Sequence, residues 1–377
     1  SDLQEPGEGA VFEQAALRRY LAAEKTDFLK IYAANAKVET GRYRRGIGIA
    51  TSLHNAGGAK IHKSDGCGTI LTMDDYARVT LITGASEIGQ GIDAVITQIV
   101  AEELGVPMAS ITIVNDDSAI GPWDVGVHAS RTTFIAGNGA RRAAIKAKAQ
   151  ILAAASKEAN VPAEEMELRG GHVVQSDNGV SIIRLDRLLR AMHFAGEDAE
   201  LVMVTDYYEP PSEPEGDNHY GDMSAAYAHA AYVAEVEVDT MTGHVRVEKM
   251  TVVQDVGRVV NGLGIEGQIE GGIAMSIGYG LTEDLRIENG IVKNPSFRDY
   301  KVATAPEMPE IAYHFIENDT PEGPFGAKGI AELPAIVPAP AIANAVYNAI
   351  GVRFDNPPIT PEKVARALHG GQDGGDQ

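Results

Sequence analysis

The chain has 377 residues and carries 32 Lys+Arg against 53 Asp+Glu, a formal net charge of −21. A surplus of that sign repels phosphate backbones and anionic lipid, which excludes nucleic acid and membrane surfaces as expected partners; a small anion can still bind where local backbone dipoles outweigh the global field. Cys67 is the only cysteine, so no internal disulfide forms and no Cys-ligated zinc or iron–sulfur cluster sits wholly within this chain.

The first residues, SDLQEPGEGAVFEQAALRRY, show no basic segment followed by an apolar one, and no apolar run approaches the roughly 18–20 residues that cross a bilayer, so the expected location is cytoplasmic. Residues 11–36 favour helix, with an apolar stripe at Leu17, Tyr20, Leu21, Phe28 and Ile31. From Gly46 the texture turns to glycine-rich β alternation. ILTMDDYARVTLITG (70–84) reads as a hairpin turning at Asp74-Asp75, and Ile92, Val95, Ile96, Ile99, Val100 and Leu104 mark the buried face of a helix. ITIVND is a strand, and GVHASRTTFIAG leads into a long Ala/Lys/Arg-rich helix ending near Ala159. VPAEEMELRGGHVVQSDNGVSI reads as a helix start followed by two strands. Residues 206–224, rich in Pro, Glu, Asp and Gly, form a loop or boundary. AAYVAEVEVDTMTGHVRVEKMTVVQDVG is a hairpin with Thr242-Gly243 near its turn. Ile269–Ile277 is a short helix, LRIENGIV a second hairpin with Asn289-Gly290 in the type I′ position, and VPAPAIANAVYNAI and PEKVARAL are the last helices. Hairpins mix with helices instead of alternating as βαβ units. The predicted class is α+β, with mixed or antiparallel sheets and packed helices in two lobes. A helical arm over 1–46, lobes over 47–222 and 223–366, and a disordered tail over 367–377 divide the chain.

Three glycine-dense turns lead into helices. In Gly84-Ala-Ser-Glu-Ile-Gly-Gln-Gly91 the glycines admit a ligand close to the backbone, the free N–H groups of the next helix favour an anion, and Gln90 can both donate and accept. Its ordinary reading is a tight strand-to-helix turn. In Gly126-Val-His-Ala-Ser-Arg-Thr-Thr133 the hydroxyls of Ser130, Thr132 and Thr133 and the cation of Arg131 suit a phosphate; the ordinary reading is a helix cap with a solvated Arg. His128 lacks a partner at helical ligand spacing, so no metal is assigned to it. Gly262-Leu-Gly264-Ile-Glu-Gly267 matches G-x-G-x-x-G after a strand, with Glu283 and Asp284 near the offset of a ribose-binding acid, which raises an NAD-binding Rossmann dehydrogenase as the rival. The context opposes it: the strand before the motif belongs to an antiparallel hairpin, and the helix leads into another hairpin instead of a parallel strand. Finally, Gly323-Pro-Phe-Gly-Ala-Lys-Gly-Ile-Ala-Glu332-Leu-Pro sets a carboxylate after a Gly/Ala-rich loop, a candidate general base whose ordinary reading is a Glu favoured by a helix dipole.

Taken in order, EIGQG (87–91) with TQIVAEELGVP, ASRTTFIAGNGA (129–140), DVGRVVN with GIEGQIEGG, and PFGAKGIAELP (324–334) resemble the xanthine oxidase family of molybdenum hydroxylases, specifically the second, C-terminal half of the molybdopterin-binding subunit. The SRTTF and GPFGAKG stretches are most similar to the aroyl-CoA reductase and nicotinate dehydrogenase branches. The resemblance, spanning about Gly41 to Leu368, implies that Ile88, Gly89, Gln90, Gly91, Ala129, Ser130, Arg131, Thr132, Thr133 and Gln268 hold molybdopterin, in its cytosine dinucleotide form, and that Glu332 is the catalytic base. No protein metal ligand is implied, because the pterin dithiolene binds molybdenum. It also implies a molybdenum-dependent oxidoreductase, active only with partners, that hydroxylates an electron-poor carbon of an aromatic, N-heterocyclic or aldehyde substrate with water as oxygen source, or reductively dehydroxylates one. The family's first half, with its glycine/phenylalanine loop, a further glutamine and the main substrate-selecting side chains, is not found here. Either the chain is a fragment, or the molybdenum domain is split between two polypeptides; the split is the expectation, with a second molybdopterin-binding chain as partner and iron–sulfur clusters and FAD on further chains. The non-catalytic alternative is a cofactor-scaffolding subunit.

Overall fold

Two long strands rich in small and β-branched residues set the architecture. The computed structural model describes residues 21–36, 40–60, 63–218 and 220–370. The start of the expected N-terminal arm and the end of the expected tail, residues 1–20 and 371–377, lie outside the described residues. Strand β1 (Tyr43–Asn55) pairs antiparallel with β9 (Tyr227–Asp239), which pairs antiparallel with β10 (Val245–Asp255) and completes a four-stranded sheet with β13 (Glu310–Ile316). Central strand β9 is buried on both faces from Ala228 to Ala234. Ala231 and Val233 join Ile47 and Val253 under the short helix Phe28–Asn35, while Ala230, Tyr232 and Ala234 face the main core. Over β1 lies the helix Pro338–Ile350. It approaches so closely that a Cβ on Gly46 would stand 2.0 Å from the Ala345 carbonyl oxygen, and one on Gly48 2.2 Å from that of Ala341.

The second sheet has the order β4 (Ile111–Val114), β3 (Val79–Thr83), β2 (Cys67–Met73), β8 (Met203–Tyr208). The β2–β3 hairpin forms as expected: Asp74 accepts from the Tyr76 and Arg78 amides, closing the turn at Asp74-Asp75. The helix Ile92–Leu104 then returns the chain to β4, which runs parallel to β3. One βαβ unit is therefore present where the sequence suggested none. The 28-residue helix Thr132–Ala159 spans this sheet, and its buried glycines allow close packing: a Cβ on Gly137 would meet Pro324 at 2.9 Å and one on Gly139 the Thr69 hydroxyl at 2.9 Å. A third sheet joins β5 (Met166–Arg169), β6 (His172–Gln175) and β7 (Ser181–Arg184), and β11 (Ile287–Glu288) and β12 (Ile291–Val292) form a hairpin in which Asn289 and Gly290 take the left-handed angles expected of a type I′ turn.

The α+β class stands, with mixed sheets and packed helices. Several boundaries do not. β1 starts inside the expected 1–46 arm and hydrogen-bonds into the sheet of the 223–366 lobe, and one continuous core joins side chains of both large sheets. A helix Pro361–His369 occupies the first residues of the expected tail. The helix expected over Ile269–Ile277 begins earlier, at Gly262, because the Asn261 side chain accepts from the Gly264 amide and caps it. Among the described residues, the stretch Leu333–Ile350 has the length and apolarity of a membrane span, although no such run was evident in the sequence; 67% of it is buried in the protein, which makes it core.

Candidate functional site

The EIGQG turn brings its own anion. Gly89 and Gly91 adopt φ of 100° and 84°, which glycine tolerates without strain. One Glu87 carboxylate oxygen accepts from the Gly89 amide at 2.7 Å and the Gly91 amide at 3.0 Å, and the other from Asp93 at 3.2 Å. Burial works to raise the Glu87 carboxyl, but the backbone donors outweigh it and hold the group below its ordinary range. The N–H groups expected to be free for a ligand are thus satisfied by Glu87. Gln90 folds back, accepting from the Ile88 amide at 2.7 Å and donating to the Ser86 carbonyl at 2.9 Å, while the Ile88 side chain is exposed.

The ASRTT loop is strained and pinned. Ala129 and Ser130 are successive left-handed residues, φ 47° and 50°, a conformation that disfavours any Cβ. Arg131 follows, fully buried. Its Nε lies 2.8 Å from an Asp65 carboxylate oxygen, one terminal nitrogen donates to Asp124 and the Gly126 carbonyl, and the other to the Asp65 and Gly66 carbonyls. The two terminal nitrogens spend their four N–H groups on hydrogen bonds inside the protein, and the Nε faces Asp65 as an ion pair. The sequence reading of the Arg131 side chain as a phosphate-binding cation is corrected by this: the sequence could not reveal that Asp65 and Asp124 converge on it. Thr132 is buried in the first helical turn, and Thr133 is half-buried beside the pocket described below.

Glu332 comes to this loop from the far end of the chain. It starts the turn Leu333–Ile336; one carboxylate oxygen accepts from the Ser130 amide at 3.0 Å, and its own amide donates to the Ser130 hydroxyl at 3.3 Å. Only glycine fits at 329, where a Cβ would fall 1.6 Å from the Ser130 carbonyl oxygen. The second oxygen of Glu332 is buried and has no hydrogen-bond partner, with the His54 Nδ1 3.9 Å away. No motif announced His54; it reaches the site because β1 ends there.

A single pocket joins Gln90, Thr133 and Gln268, together with Val95, Asn261 and Ile330. The Gln268 amide has no protein hydrogen-bond partner among the described residues. Lys328 and Arg258 also line this pocket. Lys328 is buried and tied to Asp255 at 2.9 Å, whereas Arg258 is exposed and also borders a neighbouring cavity beside Gln98 and Phe325. The G-x-G-x-x-G glycines lie inside a helix, and a Cβ on Gly267 would touch nothing, so the third glycine does not provide the close helix–strand packing of a dinucleotide fold. One argument against that fold fails, since β13, the next strand of the sheet, does run parallel to β10; the glycine geometry replaces it.

The profile of the family described as "Molybdopterin cofactor-binding domain" matches residues 21–309, most of the chain. The chain belongs to that family. Among the relatives of this molybdopterin-binding chain, it is 30% identical to the xanthine dehydrogenase molybdenum-binding subunit of Escherichia coli O157:H7, over 89% of its own length and 44% of the relative's. It is 28% identical to the nicotine 6-hydroxylase large subunit of Paenarthrobacter nicotinovorans, over 96% and 45%. Quinoline 2-oxidoreductase from Pseudomonas putida 86 shares its fold with a TM-score of 0.84 at 24% identity, covering 94% of this chain and 45% of that one. A copper–molybdenum CO dehydrogenase superposes with a TM-score of 0.81 at 25% identity. The molybdopterin-binding chain therefore spans under half the length of the curated relatives it matches.

Proposed function

We propose that this chain is one half of the molybdenum-cofactor-binding unit of a cytoplasmic, multi-subunit hydroxylase or dehydrogenase, and that Glu332 is its general base. The observation that carries the reading is the state of Glu332: one oxygen is fixed by the Ser130 amide and the other is buried with no partner, so it is poised to take a proton. The residues suit a pterin-bound metal in a second respect. Gln90, Thr133 and the partnerless Gln268 face one pocket, and Gly89 and Gly91 leave open backbone beside it, where an added Cβ would touch nothing. When bound, the molybdenum–pterin group supplies the redox step and accepts electrons from the substrate. This chain's part is to hold the pterin with Gln90, Gln268 and the Ala129–Thr133 loop, and to receive at Glu332 the proton released from the attacking water oxygen. Ile88, Gly89 and Gly91 would form one wall of the pterin site and Thr132 and Thr133 would face its phosphate. Arg131 acts there through its loop, not through its guanidinium.

A neighbouring cavity shares Arg258 and Val260 with the pterin pocket and is bordered by Gln98 and Phe325; the cytosine nucleotide of a dinucleotide cofactor would lie there, with the exposed Arg258 as a cation for it. The companion chain carries the other half-domain, and iron–sulfur and flavin chains take up the electrons. Substrates are electron-poor aromatic or N-heterocyclic carbons, aldehydes or aromatic thioesters. Co-expression with its companion, followed by molybdenum and released-cytidylate analysis and by dye reduction with a purine, a pyridine, an aldehyde and a benzoyl thioester, tests this. Glu332→Gln is expected to abolish at least ~99% of turnover with molybdenum content near normal. Loss of molybdenum together with activity would make Glu332 structural, and full activity in that variant would leave the scaffolding reading.

A further inference from the structure

An arginine with no exposed atom, beside a backbone turn of unfavourable conformation, is an expensive arrangement unless the turn must be held in one place. Arg131 is 0% exposed, and its partners Asp65 and Asp124 are 2% and 3% exposed in their side chains. Through Asp65 and Gly66 it ties down the segment before β2, and through Asp124 and Gly126 it ties down the loop before its own helix. Asp124 also accepts from the Gly126 amide at 2.7 Å, so both ends of the loop are anchored. Between these anchors stand Ala129 and Ser130, both left-handed, a strained conformation that the surroundings must offset. The product of that strain is one N–H, that of Ser130, directed at the Glu332 carboxylate.

We propose that Arg131 is a positioning residue: it holds the Ala129–Ser130 turn between Asp65 and Asp124 and, through the Ser130 amide, fixes the Glu332 carboxylate. The catalytic meaning of that geometry rests on Glu332 being the base; the geometry itself does not. An arginine is required because a planar fork can serve two carboxylates and three carbonyls at once, whereas a lysine has three donors on a single point charge.

The test uses the full chain with its companion and compares Arg131→Lys, Asp124→Asn and Glu332→Ala. Hydrogen exchange in the peptide covering 126–133 is expected to accelerate by about tenfold at the Ser130 amide in each variant. The Arg131→Lys/Glu332→Ala double variant should exchange no faster than either single one, because both remove the same bond, and peptides from β2 and β3 should be unchanged. With the substrate found in the dye-reduction screen, Arg131→Lys should lower kcat by about 100-fold with KM within about twofold, since the defect is misplacement and not lost binding. Unchanged exchange at Ser130, or acceleration spread equally over β2 and β3, overturns the proposal. Loss of molybdenum and cytidylate with unchanged Ser130 exchange overturns it too and makes Arg131 a cofactor ligand. Asp124→Asn keeps the test open if Arg131→Lys does not fold. A wild-type complex that takes up no molybdenum would sink the proposed function and leave the exchange measurement to decide this inference alone.

Discussion

Glu87 and Glu332 do the same job at two helix starts: each presents a carboxylate to backbone amides that glycine or left-handed turns have turned inward. The difference is that Glu87 spends both oxygens, while Glu332 keeps one without a partner. Replacing Glu87 with Ala removes a cap and should cost about 1 kcal/mol of stability at neutral pH, read from the denaturant midpoint. Because the folded protein holds this carboxyl below its ordinary range, the contribution is present above that range and disappears as pH falls through the folded value; the gap between Glu87→Ala and the parent should close in acid. Cys67 gives a second residue-scale expectation. Burial first, and the nearby Asp124 charge next, push its thiol up to about 12, so it stays protonated. An alkylating reagent at pH 8 should leave Cys67 unmodified in the folded chain and label it fully after denaturation; rapid labelling of the folded chain would contradict its burial.

At the scale of elements, glycine decides how closely two pieces of backbone approach. β1 and the helix Pro338–Ile350 touch at Gly46 and Gly48, with backbone oxygens where a Cβ would be. Gly48→Ala should destabilise the chain by about 1–3 kcal/mol or more, visible as a lowered thermal midpoint, because neither the sheet nor the helix can yield without repacking. Gly329→Ala belongs to the site instead: its methyl would displace Ser130, so activity of the assembled enzyme should fall well before stability does. The buried Lys328–Asp255 pair ties the GAKG loop to the end of β10. Lys328→Met would take the cation away from the buried Asp255 carboxylate, which also accepts from the Gly257 amide, and a loss of about 1–3 kcal/mol is expected by chemical denaturation.

For the whole molecule, the pairing of β1 with β9 matters most. It stitches the first folded strand to a partner far along the chain, and the core runs without a break beneath both large sheets. A fragment of residues 47–222 would keep most of β1 but lose β9 and the helix that covers it. Such a fragment should show no cooperative thermal unfolding, whereas residues 21–370 should unfold in one transition by circular dichroism. A cooperative 47–222 fragment would restore the division into two lobes.

Much of this was legible in the sequence because it is local. The Asp74-Asp75 and Asn289-Gly290 turns, the apolar face of Ile92–Leu104, the β9–β10 hairpin and the long helix to Ala159 follow from periodicity and turn chemistry over a few neighbouring residues. The four motifs, read in order, led to the family that the profile and the relatives bear out. Other features depend on partners distant in the chain, and sequence spacing does not encode those. Arg131 looked like a free cation until Asp65 and Asp124 closed on it, and Glu87 looked incidental until its carboxylate filled the amides beside it. His54 carried no signal at all, and the lobe boundary misplaced β1. Local physics fixed the elements; only the folded chain could decide which charges are spent on one another and that one Glu332 oxygen lies buried beside the Ser130 loop without a hydrogen-bond partner.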